Sequence, residues 1–172
     1  MKIAKFAAAF PAAILAAAAL AGAASARAES LPSAPYIPLA VALEAAQAAL
    51  AKCVAQPSHV TVTVINEYAV VLVQLHDELS SLHSPYSSEH KAYTALTYGK
   101  AGVATTSAGV GERFKDNPGI ALNNPGMLLT GGGIAIKSGN RLVGAIGVGG
   151  SALRGGDEQC AEAGIEKIKD RL

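Results

Sequence analysis

The stretch Gly131–Ile165, GGGIAIKSGNRLVGAIGVGGSALRGGDEQCAEAGI, decides the fold. It holds two apolar runs of β type, Ile134–Lys137 and Leu142–Val148, joined by Ser138-Gly139-Asn140-Arg141. Gly and Asn tolerate positive φ, so the joint reads as a tight hairpin turn. The second run leads into a glycine-rich loop and then Asp157, an acceptor suited to capping a helix. Beyond it Ala161, Ile165 and Ile168 recur at helical spacing, with Glu, Lys and Arg between them. Hairpin, glycine loop and terminal helix form one unit.

Working outward, His59–Ile65 (HVTVTVI) alternates and is β-branched, and Val70–Leu75 follows after a turn at Asn66–Ala69. The VVLV core of the second run is continuous, which predicts burial on both faces and a sheet covered by helices on each side. Upstream, Ala40–Ala55 has the helical period, with Leu43, Ala46, Leu50, Cys53 and Val54 on one stripe. Downstream, Ser87 or Ser88 can cap a helix of about Glu89–Tyr98, stopped by Gly99. A short helix over Thr106–Phe114, a loop at Lys115–Pro125 and a short strand at Met127–Thr130 complete the order. Hairpins in the middle and helices at the ends argue for an α+β domain with a mainly antiparallel sheet.

At 172 residues the chain has room for one domain, placed at residues 39–172. Lys2 and Lys5, the apolar run Phe6–Ala23 and the small-residue site Ala26-Arg27-Ala28 have the three-part layout of a secretory signal peptide cleaved after residue 28. A membrane anchor is the rival reading, opposed by the alanine content and by Pro11. Residues 29–38, with Pro32, Pro35 and Pro38, read as a flexible lead-in. Cleavage removes Lys2, Lys5 and Arg27 from the 14 basic side chains, leaving 11 against 13 acidic ones. That balance offers no basic face for nucleic acid. The signal-peptide reading predicts a mature protein in the periplasm or outside the cell, with no membrane association after cleavage.

Gly147-Val148-Gly149-Gly150 lies between a strand and a helix, superficially like a dinucleotide loop. The third small residue is mis-spaced, and no later strand can carry a ribose-binding acid. The glycines then read as a mobile loop whose backbone packs close to something, a ligand included. His76, His83 and His90 fall within 15 residues. They are either solvated loop histidines or, through neutral imidazole, ligands to a haem or metal iron. None is paired at the i, i+4 spacing of a zinc-protease helix, and Ser84-Pro85 is read as a break between them. Lys91, Tyr93 and Thr94 form a polar patch facing a pocket or water. Cys53 and Cys160 are either two buried small hydrophobes or one disulfide, and spacing does not choose between them. No nucleophile elbow and no reactive cysteine setting is present.

Three stretches resemble the GlcG/HbpS family of haem-binding or haem-degrading domains: Leu43-Glu44-Ala45-Ala46, Lys91-Ala92-Tyr93-Thr94-Ala95, and Gly132–Ile165. The resemblance implies a profilin-like sandwich with a five-stranded, mainly antiparallel sheet between helices. It puts the first and last helices on one face, which favours a Cys53–Cys160 disulfide. It further implies homo-oligomers, and haem or iron as partner, with haem as the expected cofactor. On that basis a pocket beside the middle helix would hold the macrocycle. His76, His83 or His90 would serve as axial ligand (His76 and His90 foremost as metal ligands), Lys91 would lie near a propionate, and Thr94 would line the pocket. The chain departs from the family at Asn66–Ala69, at Gln74 and His76, and in lacking a surface Glu-x-x-Glu pair. Three functions follow: an exported haem-binding protein, an enzyme acting on haem or a small organic acid, or a cofactor-free accessory subunit. No catalytic constellation is visible, so the enzyme reading rests on the resemblance alone.

Overall fold

The structure, a computed structural model, describes residues 33–172, of which Ala34–Leu172 form one compact unit. The signal-peptide reading and most of the lead-in fall outside the described residues. Elements run α1 (Leu39–Val54), β1 (Thr61–Asn66), β2 (Val71–His76), α2 (Ser84–Lys100), α3 (Ser107–Arg113), α4 (Gly119–Leu122), β3 (Gly133–Ser138), β4 (Arg141–Gly149) and α5 (Gly156–Ile168). The four strands are ordered β2-β1-β4-β3 and every neighbouring pair is antiparallel.

The α+β reading holds, with four strands among the described residues where five were expected. Residues 127–130 form no strand. Their hydrogen bonds go elsewhere: Leu128 N–H donates to Thr94 Oγ1 at 2.8 Å, and Ser107 Oγ donates to Thr130 O at 2.6 Å. The outer edge of β3 is met instead by Thr105–Thr106, where Ala135 N–H donates to Thr105 O and Thr106 bridges Ile134.

The two faces of the sheet differ in chemistry. Val62 and Val64 of β1 pair with Val148 and Ile146 of β4, and these side chains join the aliphatic cluster under α1 and α5. On the other face Thr61, Thr63 and Ile65 pair with Gly149, Gly147 and Ala145, and α2 packs there. Thr61 Oγ1 lies 2.7 Å from Ser84 Oγ, and Thr63 Oγ1 lies 2.7 Å from Ser88 Oγ. Thus hydroxyls buried between helix and sheet satisfy one another, as buried polar groups must.

Glycines of β3 and β4 explain how α2 comes so near. A Cβ on Gly147 would stand 1.9 Å from Ser88 O, and one on Gly133 would stand 2.0 Å from Lys91 O. The expectation of a mobile glycine loop is therefore corrected. Gly147 and Gly149 belong to a buried strand, and what they pack against is helix α2.

Double-sided burial was expected of the Val70–Leu75 run. It belongs to β1 and β4 instead, for β2 is an edge strand with Val71 40% exposed. The stripe expected on α1 is also displaced. Leu43 and Val54 are exposed, and the buried face is Val41, Ala42, Ala45, Ala46, Ala49 and Cys53. Small side chains win there because α5 approaches closely: a Cβ on Gly164 would lie 2.7 Å from Ala45 O. A Cys53–Cys160 disulfide, with Cα atoms 5.6 Å apart, ties the two helices together.

Helix α2 starts five residues earlier than the periodicity suggested, because Pro85 is in its first turn, where a missing N–H costs nothing. It ends at Lys100, with Gly99 inside the helix rather than just past its end. Gly102, at φ +70°, donates to Gly99 O, and Val103 N–H donates to Tyr98 O. These two bonds form a Schellman cap. Nor does Asp157 cap α5, whose N-cap is Gly155. Its carboxylate is used elsewhere.

Candidate functional site

The first turn of α2, the turn after β4, the first turn of α5 and residues 128–130 surround a cleft of about 560 Å³. That size is within the range of ordinary cofactor pockets, roughly 300–1,000 Å³. Lys91 lies within it on α2, a lysine only 5% exposed. Its Nζ donates to Asp157 Oδ2 at 2.6 Å and to Val148 O at 3.1 Å. Asp157 Oδ1 also accepts from Ser151 N–H at 2.9 Å, and the carboxylate stands in the first turn of α5. A smaller pocket of about 150 Å³ shares Lys91, Thr130 and Asp157 with the cleft.

Two ring side chains line the same cleft. His83 is the N-cap residue of α2 and is exposed, and among the described residues no side-chain hydrogen bond engages its ring. Tyr86, one turn on, is 61% exposed and stacks on His90 with ring centroids 3.7 Å apart. Together they give the cleft an imidazole and a phenol, both known iron donors. The donor set therefore fits a haem, whose iron would supply the redox and ligand chemistry.

Of the residues singled out from the sequence, the cleft brings together His83 and Lys91. His90 lines a separate cleft of about 240 Å³ with Tyr93, Glu89 and Gly126, and its Nδ1 is buried without a hydrogen-bond partner. His76 lies at the end of β2, where its Nδ1 is 2.7 Å from Thr61 Oγ1. Thr94 is fully buried, donates to His90 O and accepts from Leu128 N–H, so it holds the 127–130 segment in place. Lys91 has its charge met by Asp157 and is not free for a propionate. Among the described residues no three His, Cys, Asp or Glu side chains converge on a metal position.

Tyr86 and Asp157 are site residues that the sequence reading missed. A helix begun at Ser84 would have shown His83, Tyr86, His90 and Tyr93 as one face at spacings of three and four. Nothing local marks Asp157 as the partner of Lys91, since 66 residues separate them. At the same end of the sheet, the His59 ring lies 3.0 Å from Asp77 Oδ1. The Leu79 N–H, and then the His59 hydrogen bond, hold the Asp77 carboxyl below its usual range.

Solved structures share this architecture. The crystal structure of HbpS matches with 29% identity and a TM-score of 0.73, covering 83% of this chain and 96% of the other. A Glu-to-Asp double mutant of Streptomyces reticuli HbpS matches with 28% identity and a TM-score of 0.73, over 83% and 93% of the two chains. A PduOC–haem complex shares the fold at 18% identity and a TM-score of 0.69, over 78% of this chain and 96% of that one. No curated protein matches the chain. The family model described as "Haem degrading protein HbpS-like" matches residues 37–166, from the start of α1 almost to the end of α5, and the chain belongs to that family.

Proposed function

We propose that the protein is an exported haem-binding protein whose macrocycle lies in the cleft at the N-terminus of α2. The observation that carries this reading is the pair of ring donors, His83 and Tyr86, which line one cleft. The family's description and the haem held by PduOC on the same fold support the choice of ligand. Because Lys91 is paired with Asp157, a haem bound there would draw little charge compensation for its propionates from this lysine. The N-terminal pattern of Lys2, Lys5, the apolar run and Ala26-Arg27-Ala28 supports export to the periplasm or beyond. Exposed Val70, Val71, Leu79 and Leu82 beside the open edge of the sheet support assembly into homo-oligomers.

A hemin titration of the purified protein, followed by absorbance, tests the reading. The expected result is a saturable Soret shift, with an unrelated exported protein as the control for nonspecific uptake. A flat or nonsaturating response would overturn it. The same sample with a reductant and oxygen separates holding haem from degrading it, since degradation bleaches the band.

A further inference from the structure

Resting on the haem reading, we infer that Tyr86 is an aromatic shelf on which the macrocycle lies by its face, and that His90 is the positioning residue that holds this shelf. The two rings stack one turn apart on α2, with centroids 3.7 Å apart and planes inclined by 32°. A ring has two faces, and His90 covers one of them. Tyr86 is nonetheless 61% exposed, so its free area is the other face and the edge. His90 belongs to the neighbouring cleft, with Tyr93 and Gly126, while Tyr86 lines the large one. The tyrosine ring therefore stands as a partition, with its uncovered side turned to the large cleft.

Stacking is what separates Tyr86 from His83. His83 lines the same cleft, but among the described residues no aromatic ring packs on it. A ring already held in place loses less freedom when a ligand lies on it. The support is itself confined. Gly126, at φ +83°, comes so near that an added Cβ would stand 3.4 Å from His90 Cε1, and His90 Nδ1 is buried. The imidazole is thus hemmed in between that loop and the Tyr86 ring. A fixed, uncovered aromatic face suits a flat π-system in offset stacking, and Leu128 adds an aliphatic side chain to the same cleft. A metal-free porphyrin offers the same face as haem. What Tyr86 supplies is contact through its ring, and the hydroxyl is dispensable for it.

The test titrates the wild type and its variants with hemin, followed by absorbance, and with metal-free protoporphyrin IX, followed by fluorescence. The wild type should bind both saturably, and Tyr86→Phe should match it. Tyr86→Ala should weaken both by the same factor, on the order of tenfold. His90→Ala should weaken both by a smaller shared factor, and His90→Phe should restore them. Tyr68→Ala removes a tyrosine that is 76% exposed in the turn between β1 and β2, and should change neither. An unchanged affinity in Tyr86→Ala, or a Tyr86→Phe as weak as Tyr86→Ala, overturns the shelf. No loss in His90→Ala, or a loss for hemin alone, overturns the role of His90. Saturable hemin binding with none of metal-free porphyrin overturns the inference and leaves the haem reading standing. Absence of saturable hemin binding in the wild type overturns both.

Discussion

Gly147 on β4 faces the backbone carbonyl of Ser88 on α2 so closely that a single added methyl group would stand 1.9 Å from its oxygen. Gly147→Ala therefore cannot be absorbed by a side-chain rotation, because a Cβ is fixed by its own backbone and the atom it meets is a main-chain oxygen. The substitution should destabilise by about 3 kcal/mol or more, at the top of the usual range for overpacking. Urea denaturation checks it. Since Ser87, Ser88 and Lys91 ride on the displaced helix, hemin uptake should weaken in any soluble fraction.

Asp157 and Lys91 are 15% and 7% exposed as side chains, and each is the other's charge partner. Asp157→Ala leaves a buried ammonium uncompensated and should cost about 3–5 kcal/mol. A double replacement, Lys91→Met with Asp157→Leu, removes both charges and should cost clearly less than the single change. Equal losses in the two variants would show that the pair does not behave as a buried ion pair.

The Cys53–Cys160 disulfide closes 107 residues of chain. Loop-closure arguments give about 4–5 kcal/mol for a cross-link of that span. The Cys53→Ala, Cys160→Ala protein should lose stability of that order. Its cleft, which meets α5 only at Asp157 in that helix's first turn, should keep its hemin spectrum. Thermal melts with and without reductant, run beside the double variant, measure the first part, and absorbance measures the second.

Asp77 gives the sign of one pH effect. Its carboxyl is held below the ordinary value by the Leu79 N–H and by His59, so the folded protein releases that proton more readily than the unfolded chain does. The stability it contributes is present above the ordinary carboxylate value and is lost as pH falls through the lowered one. Asp77→Asn should therefore flatten the acid limb of a plot of urea midpoint against pH. An acid limb identical to that of the wild type would count against the assignment.

Much of the fold was legible because periodicity and turn chemistry are local. The alternation in His59–Ile65, the Gly139-Asn140 turn and the helical spacing after Asp157 each point to one element, and each element is there. What misled was the meaning of small residues. On α1 the leucines looked like the core face, but the close approach of α5 selects Ala45 and Ala49. In β4 the glycines looked like a loop, but they make room for a helix. The start of α2 was hidden by reading Pro85 as a break, and with it the alignment of His83 and Tyr86 was lost. The site was less legible than the fold, since Lys91 meets Asp157 only through tertiary packing.

The two margins of the sheet are unlike. Thr105 and Thr106 occupy the outer side of β3 beside Ile134 and Ala135, and the exposed Lys137 follows them. Charge at such a position discourages another strand from adding there. On the opposite margin β2 has no further strand beside it among the described residues. The sheet therefore has one margin, along β3, where Thr105, Thr106 and Lys137 stand in the way of a further strand, and another, along β2, where the described residues place no such guard.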